Sequence, residues 1–232
     1  PASGQFTPEE IRLELACALY ARGRIGKIAA ARMAGVDFFT FQRALGERQI
    51  ESYTEKMFAD DLETRKQLFP GDRCHCTSVL INLCRVGQSG QLRGLFKEVV
   101  IPPEVAAEFV RLTETVPRFS GLSLPEGIRQ QSSQALLPAV RDAVGLDLGE
   151  AAALSLAVEI HADAILVDER RGHEVALQLG LRTIGVVGIL LQAKAAGILP
   201  QITPVMNALQ RDANFWISQS LREAVSRRAG EV

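Results

Sequence analysis

The chain has 232 residues, with 26 Lys and Arg against 27 Asp and Glu and a net charge of −1, so any attraction to nucleic acid must be local rather than global. Four scattered cysteines form no disulfide framework, which excludes a small disulfide-stapled scaffold. The longest apolar runs are interrupted by Glu159, Asp163 and Lys194 and no secretion leader is visible, so no membrane span is expected and the expected setting is cytoplasmic.

Thr7-Pro8-Glu9-Glu10 reads as a helix start, with a capping Thr, a proline at the first helical position and acids in the first turn. The helix runs through Ile11, Leu15, Ala18 and Leu19 to Gly23. A second helix is expected over 25–34, ended by Gly35, and a third opens with Asp37 as cap and carries Phe38, Phe39, Phe41 and Leu45. Helix, glycine turn, helix is a helix-turn-helix pattern, in which the small Ala31 and the turn residue Gly35 let two helices pack closely before the second enters a DNA major groove. The candidate DNA contacts are Arg32, Thr40, Gln42, Arg43 and Arg48. Against this, three phenylalanines in one turn signal packing, and seven Lys and Arg against five Asp and Glu in residues 1–50 is a small excess for binding phosphate.

Residues 69–76, Phe-Pro-Gly-Asp-Arg-Cys-His-Cys, make a poor central strand, because proline, glycine and two charges interrupt it. Glu98 to Ile101 reads as a short strand stopped by Pro102 and Pro103, and the helix after it, over 104–116, carries Glu108. Residues 117–135 read as a loop with at most a turn of helix. Leu146 to Gly149 turns into a helix that is apolar nearly all round, with Glu150 in its first turn, where the helix dipole favours an anion. The apolar run 164–167 suits a buried parallel strand and ends at Asp168 and Glu169. A helix over 172–179, a strand over 181–187 and a helix over 188–196 follow, and Phe215 and Trp216 precede a C-terminal helix capped near Ser218. This alternation predicts an α/β fold with a parallel sheet flanked by helices, whose ligands collect beyond the carboxyl ends of the strands, where Asp168 lies.

As an ordered set, TSVLINL (77–83), IPPEVAAEF (101–109), LDLGEAAALSLA (146–157), AILVDERRG (164–172) and GLRTIGVVGILLQAKAAGIL (180–199) resemble a PIN domain of the VapC-like kind, in a branch without assigned function. The resemblance implies an RNA-cutting nuclease that holds Mg²⁺ or Mn²⁺ with acids. Carried onto this chain, those acids are Glu108, Glu150 and Asp168, hard oxygen ligands of the type that lets a divalent ion polarise a phosphate and acidify a water. Arg170 and Arg171 are the candidate phosphate donors, ahead of His173, because guanidinium binds phosphate bidentately. The family normally has a further acid immediately before the Thr-Ser pair, and here Cys76 stands in that position. A thiolate is a soft ligand that weakens a Mg²⁺ site, and Ser78 or Asp72 are the remaining candidates to reach the metal or substrate there. Cys74-His75-Cys76 lacks the spacing and the second pair of a zinc site.

Residues 14–50 and the stretch YTEKMFADDLET at 53–64 resemble a small antitoxin-like family, which implies an operator-binding unit and an acidic tail, here Glu55, Asp60, Asp61 and Glu63, that occupies a toxin's site. The expected organisation is a helix-turn-helix unit over 1–65, a linker over 66–75 and a PIN-like nuclease domain over 76–232. Two functions fit: a toxin-type endoribonuclease with RNA as substrate and operator DNA as a second partner, or a non-cleaving PIN module in a DNA-binding regulator. Pairing into a homodimer is expected of either.

Overall fold

Capping side chains and glycines set the element boundaries in the N-terminal part of this computed structural model, which describes residues 6–67, 73–76 and 78–231; the side chains of residues 73–76, 78 and 118 lie outside that description. Helix α1 (Pro8–Ala21) starts with reciprocal bonds between Thr7 and Glu10, at 3.2 and 2.7 Å. Helix α2 (Lys27–Ala34) ends on Gly35, whose φ of 71° is the left-handed conformation that glycine adopts without a steric penalty. Helix α3 (Phe38–Glu47) is capped by Asp37, which accepts from the backbone of Phe39 and Thr40. The stretch expected as an acidic connecting tail is instead an ordered helix, α4 (Glu55–Gln67), that buries Met57, Phe58 and Asp61.

The rest alternates strands and helices: β1 (Arg73–Cys76), α5 (Ser78–Arg85), α6 (Gly90–Leu95), β2 (Glu98–Ile101), α7 (Pro103–Thr115), β3 (Ile128–Gln130), α8 (Pro138–Arg141), α9 (Leu148–Glu159), β4 (Ala164–Leu166), α10 (Arg170–Gln178), β5 (Thr183–Ile184), α11 (Val186–Ala195), α12 (Thr203–Asp212) and α13 (Gln219–Ala229). The five strands form one parallel sheet in the order β3-β2-β1-β4-β5. Val99, Val100 and Ile101 of β2 and all of β4 are buried, as parallel strands covered on both faces must be. The short β1 lies at the centre of this sheet, with Cys76 in register with Leu166. Its composition is poor for a strand, and its two neighbours supply the ladder that composition does not promise.

Two local readings need correction. Residues 128–130, expected within a loop, form the edge strand β3, because pairing to β2 alone suffices for an exposed polar segment. The strand expected over 181–187 is only Thr183–Ile184, since Gly185 turns the chain into α11. Among the described residues no helix is long and apolar enough to cross a membrane.

The N-terminal helices do not keep a core to themselves. A small cluster of Ala16, Cys17, Tyr20, Ala31, Phe41 and Leu45 joins α1, α2 and α3. Ile28, Phe38, Phe39, Tyr53, Met57 and Phe58, however, belong to the main core with the sheet and its helices. Phe39 stacks on Phe119 with ring centroids 4.1 Å apart, and its carbonyl accepts from Asn214 Nδ2 at 2.9 Å. Asp61 accepts from the Gly185 amide at 3.0 Å and from the Tyr53 hydroxyl, so α4 caps α11 from the far side of the sequence. Because Phe39 is fully buried across this seam, Phe39→Ala is expected to cost about 3–5 kcal/mol. Urea unfolding followed by both fluorescence and circular dichroism should show a lower midpoint and still a single transition; two separated transitions would contradict a shared core.

Candidate active site

Glu150 and Asp147 form a capping box at the start of α9: the Glu150 amide donates to Asp147 Oδ1 at 2.8 Å, and the Asp147 amide donates to Glu150 Oε2 at 3.3 Å. Both carboxylates border a small space that Glu169, just past the end of β4, also lines. Asp168 follows β4, fully buried, with Oδ1 accepting from the Val186 amide at 2.8 Å and Oδ2 from Asn82 Nδ2 at 3.1 Å. Glu169, also buried, follows it. Glu108 approaches from α7 beside Gly149 and pairs with Arg111 at 3.3 Å. The three acids expected as metal ligands, Glu108, Glu150 and Asp168, thus lie at one edge of the sheet, joined by Asp147 and Glu169. Cys76 ends β1 at that same edge, but its side chain and that of Ser78 lie outside the described residues, as does Asp72 entirely.

A lysine is the centre of this arrangement. Lys27, 0% exposed at the first turn of α2, places its Nζ 4.0 Å from Glu169 Oε1 and 3.1 Å from Gln42 Oε1, while its amide donates to Glu169 Oε2 at 3.0 Å. Its charge pulls on Asp147, Glu150, Asp168 and Glu169 at once. Burial is nevertheless the stronger influence on each acid. It pushes Glu108 up to about 8, with help from Asp147 and against Arg111, and Glu169 to about 7 against Lys27. Burial likewise raises Glu150, with further repulsion from Glu169 and Asp147, and raises Asp147 and Asp168.

A divalent ion needs hard oxygens converging on one point and, for Mg²⁺, room for the waters it retains. The donor chemistry suits such an ion, and Glu150 Oε1 is buried without a hydrogen-bond partner. The arrangement does not fit it. Among the described residues no three His, Cys, Asp or Glu are grouped to hold a metal. Both Asp168 oxygens are taken, and the space bounded by Ile28, Glu108, Asp147, Glu150 and Glu169 is about 10 Å³, about one water in size.

The candidate substrate and DNA contacts are dispersed. Arg170 donates to the Ala21 carbonyl at 2.8 Å, and Arg171 to the Val144 carbonyl at 2.9 Å, both beside a cleft of about 230 Å³ that Glu169 also lines. His173 is buried with Nε2 3.3 Å from Asp60. Gln42, expected at a DNA surface, is buried instead, because its amide is spent on Lys27 and, at 2.6 Å, on the Ala213 carbonyl. Thr40 bonds to Asp37, Arg43 is exposed beside Glu47, and Arg48 pairs with Glu14. Arg32 lies exposed with Arg111 on the rim of a cleft of about 480 Å³ lined by Glu108 and Asp147. Sequence reasoning missed Lys27, Asn82 and the roles of Asp147 and Glu169. The Asp-x-x-Glu spacing of 147 and 150 is a capping-box signature that could have exposed Asp147, whereas nothing in IGKIAAARMA marks Lys27 as buried among acids.

A family model described as a PIN domain matches residues 76–231. A model of an uncharacterised protein family, UPF0175, matches residues 2–67. No curated protein and no solved structure matches the chain.

Since the folded-state values of Glu108 and Glu169 lie above the unfolded value of about 4.3, the native state holds extra protons between about pH 4 and pH 8, and stability falls as pH rises through that window. The melting temperature is expected to drop between about pH 5 and about pH 8, and Glu108→Gln should make the drop shallower. A melting temperature that climbs over this range would contradict the raised values.

Proposed function

The chain belongs to the PIN domain family, and from that premise we propose that it is a divalent-metal-dependent endoribonuclease of the toxin type, joined to an antitoxin-like unit in one polypeptide. The observation that carries this reading is the gathering of Glu108, Asp147, Glu150 and Glu169 around one small space at the carboxyl edge of a parallel sheet, with Asp168 next to Glu169 in the chain and Glu108 and Asp147 also lining a cleft of about 480 Å³. A cluster of buried carboxylates destabilises the fold that carries it, and its presence at the ligand edge of the sheet supports a site beyond the capping roles of Asp147, Glu150 and Asp168. The family resemblance would give Mg²⁺ or Mn²⁺ to Glu108, Glu150 and Asp168, whose arrangement in this structure does not fit the ion. Arg32, on the rim of the cleft that Glu108 lines, is better placed than Arg170 and Arg171 to meet an RNA phosphate approaching those acids, because the latter two serve backbone carbonyls, while Arg111 on the same rim pairs with Glu108.

A second reading is a non-cleaving PIN module in a regulator that contacts operator DNA through Arg32, Thr40 and Arg43. The replacement of the first family acid by Cys76 and the closely packed acid cluster favour it.

Cleavage of a mixed RNA pool with Mn²⁺ separates the two. The assay uses the full chain, because α4 is part of the main core, both as the parent and with Lys27→Met, each with and without Asp168→Asn. Cleavage is expected in at least one of the two chains that retain Asp168, falling by roughly 10²-fold or more with Asp168→Asn. No cleavage by any chain would leave the regulator reading.

A further inference from the structure

We propose that the cleft between the end of α1 and the start of α10 binds a phosphate monoester, carried by a free nucleotide or by the phosphorylated end of an RNA chain. The site is separate from the cleft that Glu108 and Asp147 line, and the proposal stands without the nuclease reading.

Two segments 149 positions apart wall this cleft, joined by the bond from Arg170 Nη2 to the Ala21 carbonyl at 2.8 Å. Its volume of about 230 Å³ is below the roughly 300–1,000 Å³ of pockets that enclose drug-sized ligands, and far above the roughly 10–15 Å³ that one water needs. The ligand is therefore a small one. Three arginines set its charge: Arg22 is exposed, and Arg170 and Arg171 are half-buried. A guanidinium has five N–H groups, so the single bond of Arg170 to Ala21 leaves it donors for an anion. Two acids also line the cleft. Glu174 is paired with Arg171 at 3.2 Å, and Glu169 accepts from the Lys27 amide, so the three cations keep a surplus.

The start of α10 adds to that surplus. The amides of Arg170, Arg171 and Gly172 precede the first bond of the helix ladder, from the His173 amide to the Glu169 carbonyl at 2.9 Å. No side chain caps this terminus and its first turn carries no acid, so the positive end of the helix is left for a ligand.

Tyr20 is the independent sign of a ligand. It lines the cleft, it is 5% exposed, and its hydroxyl is buried without a hydrogen-bond partner, although Ser52 lies close by. An unpaired buried hydroxyl is unfavourable, and phenylalanine would keep the edge contact with Phe41 without that penalty. A phosphate oxygen in the cleft accepts from this hydroxyl. A phosphate monoester carries roughly −1.5 to −2 charge at neutral pH and three acceptor oxygens, whereas a diester inside an RNA strand carries about one charge. Three guanidiniums, a helix start and a lone hydroxyl match the monoester better.

Titration calorimetry on the full chain tests this, with a chelator present so that metal-dependent cleavage does not enter. Two matched pairs of probes are used: adenosine monophosphate against adenosine, and a short RNA with a terminal phosphate against the same RNA without it. The phosphate is expected to tighten binding in at least one pair, and Tyr20→Phe and Arg22→Gln are each expected to reduce that gain about tenfold. Arg93→Gln, which removes an exposed charge on α6, should leave it unchanged, and circular dichroism establishes that each variant folds. A gain confined to the RNA pair assigns the site to RNA ends, and a gain with adenosine monophosphate assigns it to a nucleotide. No gain from the phosphate in either pair, or a gain that Tyr20→Phe or Arg22→Gln leaves unchanged, overturns the proposal. Neither result bears on RNA cleavage, so the nuclease reading stands or falls separately.

Discussion

One buried lysine acting on four buried carboxylates, Asp147, Glu150, Asp168 and Glu169, is the interaction on which the rest of this structure depends. Glu108, Asp147, Glu150, Asp168 and Glu169 converge at the sheet edge because α7, α9 and the end of β4 all deliver their residues there. Left alone, such a group would repel itself and lose its hydration. The ammonium of Lys27 and the amide at the start of α2 offset part of these penalties, and burial still raises each acid. Burying a charge is unfavourable on its own, so the lysine and the acids are each tolerable only in the presence of the other.

That mutual dependence makes the N-terminal helices part of the PIN fold. Two family models divide the chain near residue 70, yet the main core draws on both sides of the division. Phe39 stacks on Phe119, Tyr53 is buried beside the turn into α11, and Asp61 supplies the cap that Gly185 cannot. The same α11 start holds Asp168 through the Val186 amide, so α4 and a candidate site acid share one helix terminus. The small core of α1, α2 and α3 is a satellite of this arrangement, not its equal. The helix that a DNA reader would present, α3, turns its phenylalanines and Gln42 inward.

Much of this was legible from local pattern. Thr7 with Glu10, Gly35 and Asp37 announce their helix boundaries because capping chemistry is satisfied within a few residues. β2 and β4 are short apolar runs next to turn residues, and they become buried parallel strands. Glu150 and Asp168 could be placed at the ligand edge for the same reason. β1 and β3 were harder, since a strand with poor composition exists only through its neighbours. α4 was misjudged because its charged residues suggested a solvated tail, whereas Asp61 is buried by a cap it makes 124 positions away.

By itself the sequence determined the α/β class, most of the order of elements, and the places of Glu150 at a helix start and Asp168 after a strand, because helix caps, apolar runs and turn glycines act over a few residues. Only the tertiary structure decided that Lys27 enters the acid cluster, that Gln42 is buried, and that the two family segments share one core. Those outcomes depend on groups far apart in the chain meeting in a low-dielectric interior, where a single charge can act on several partners at once. Local sequence pattern contains no record of that meeting.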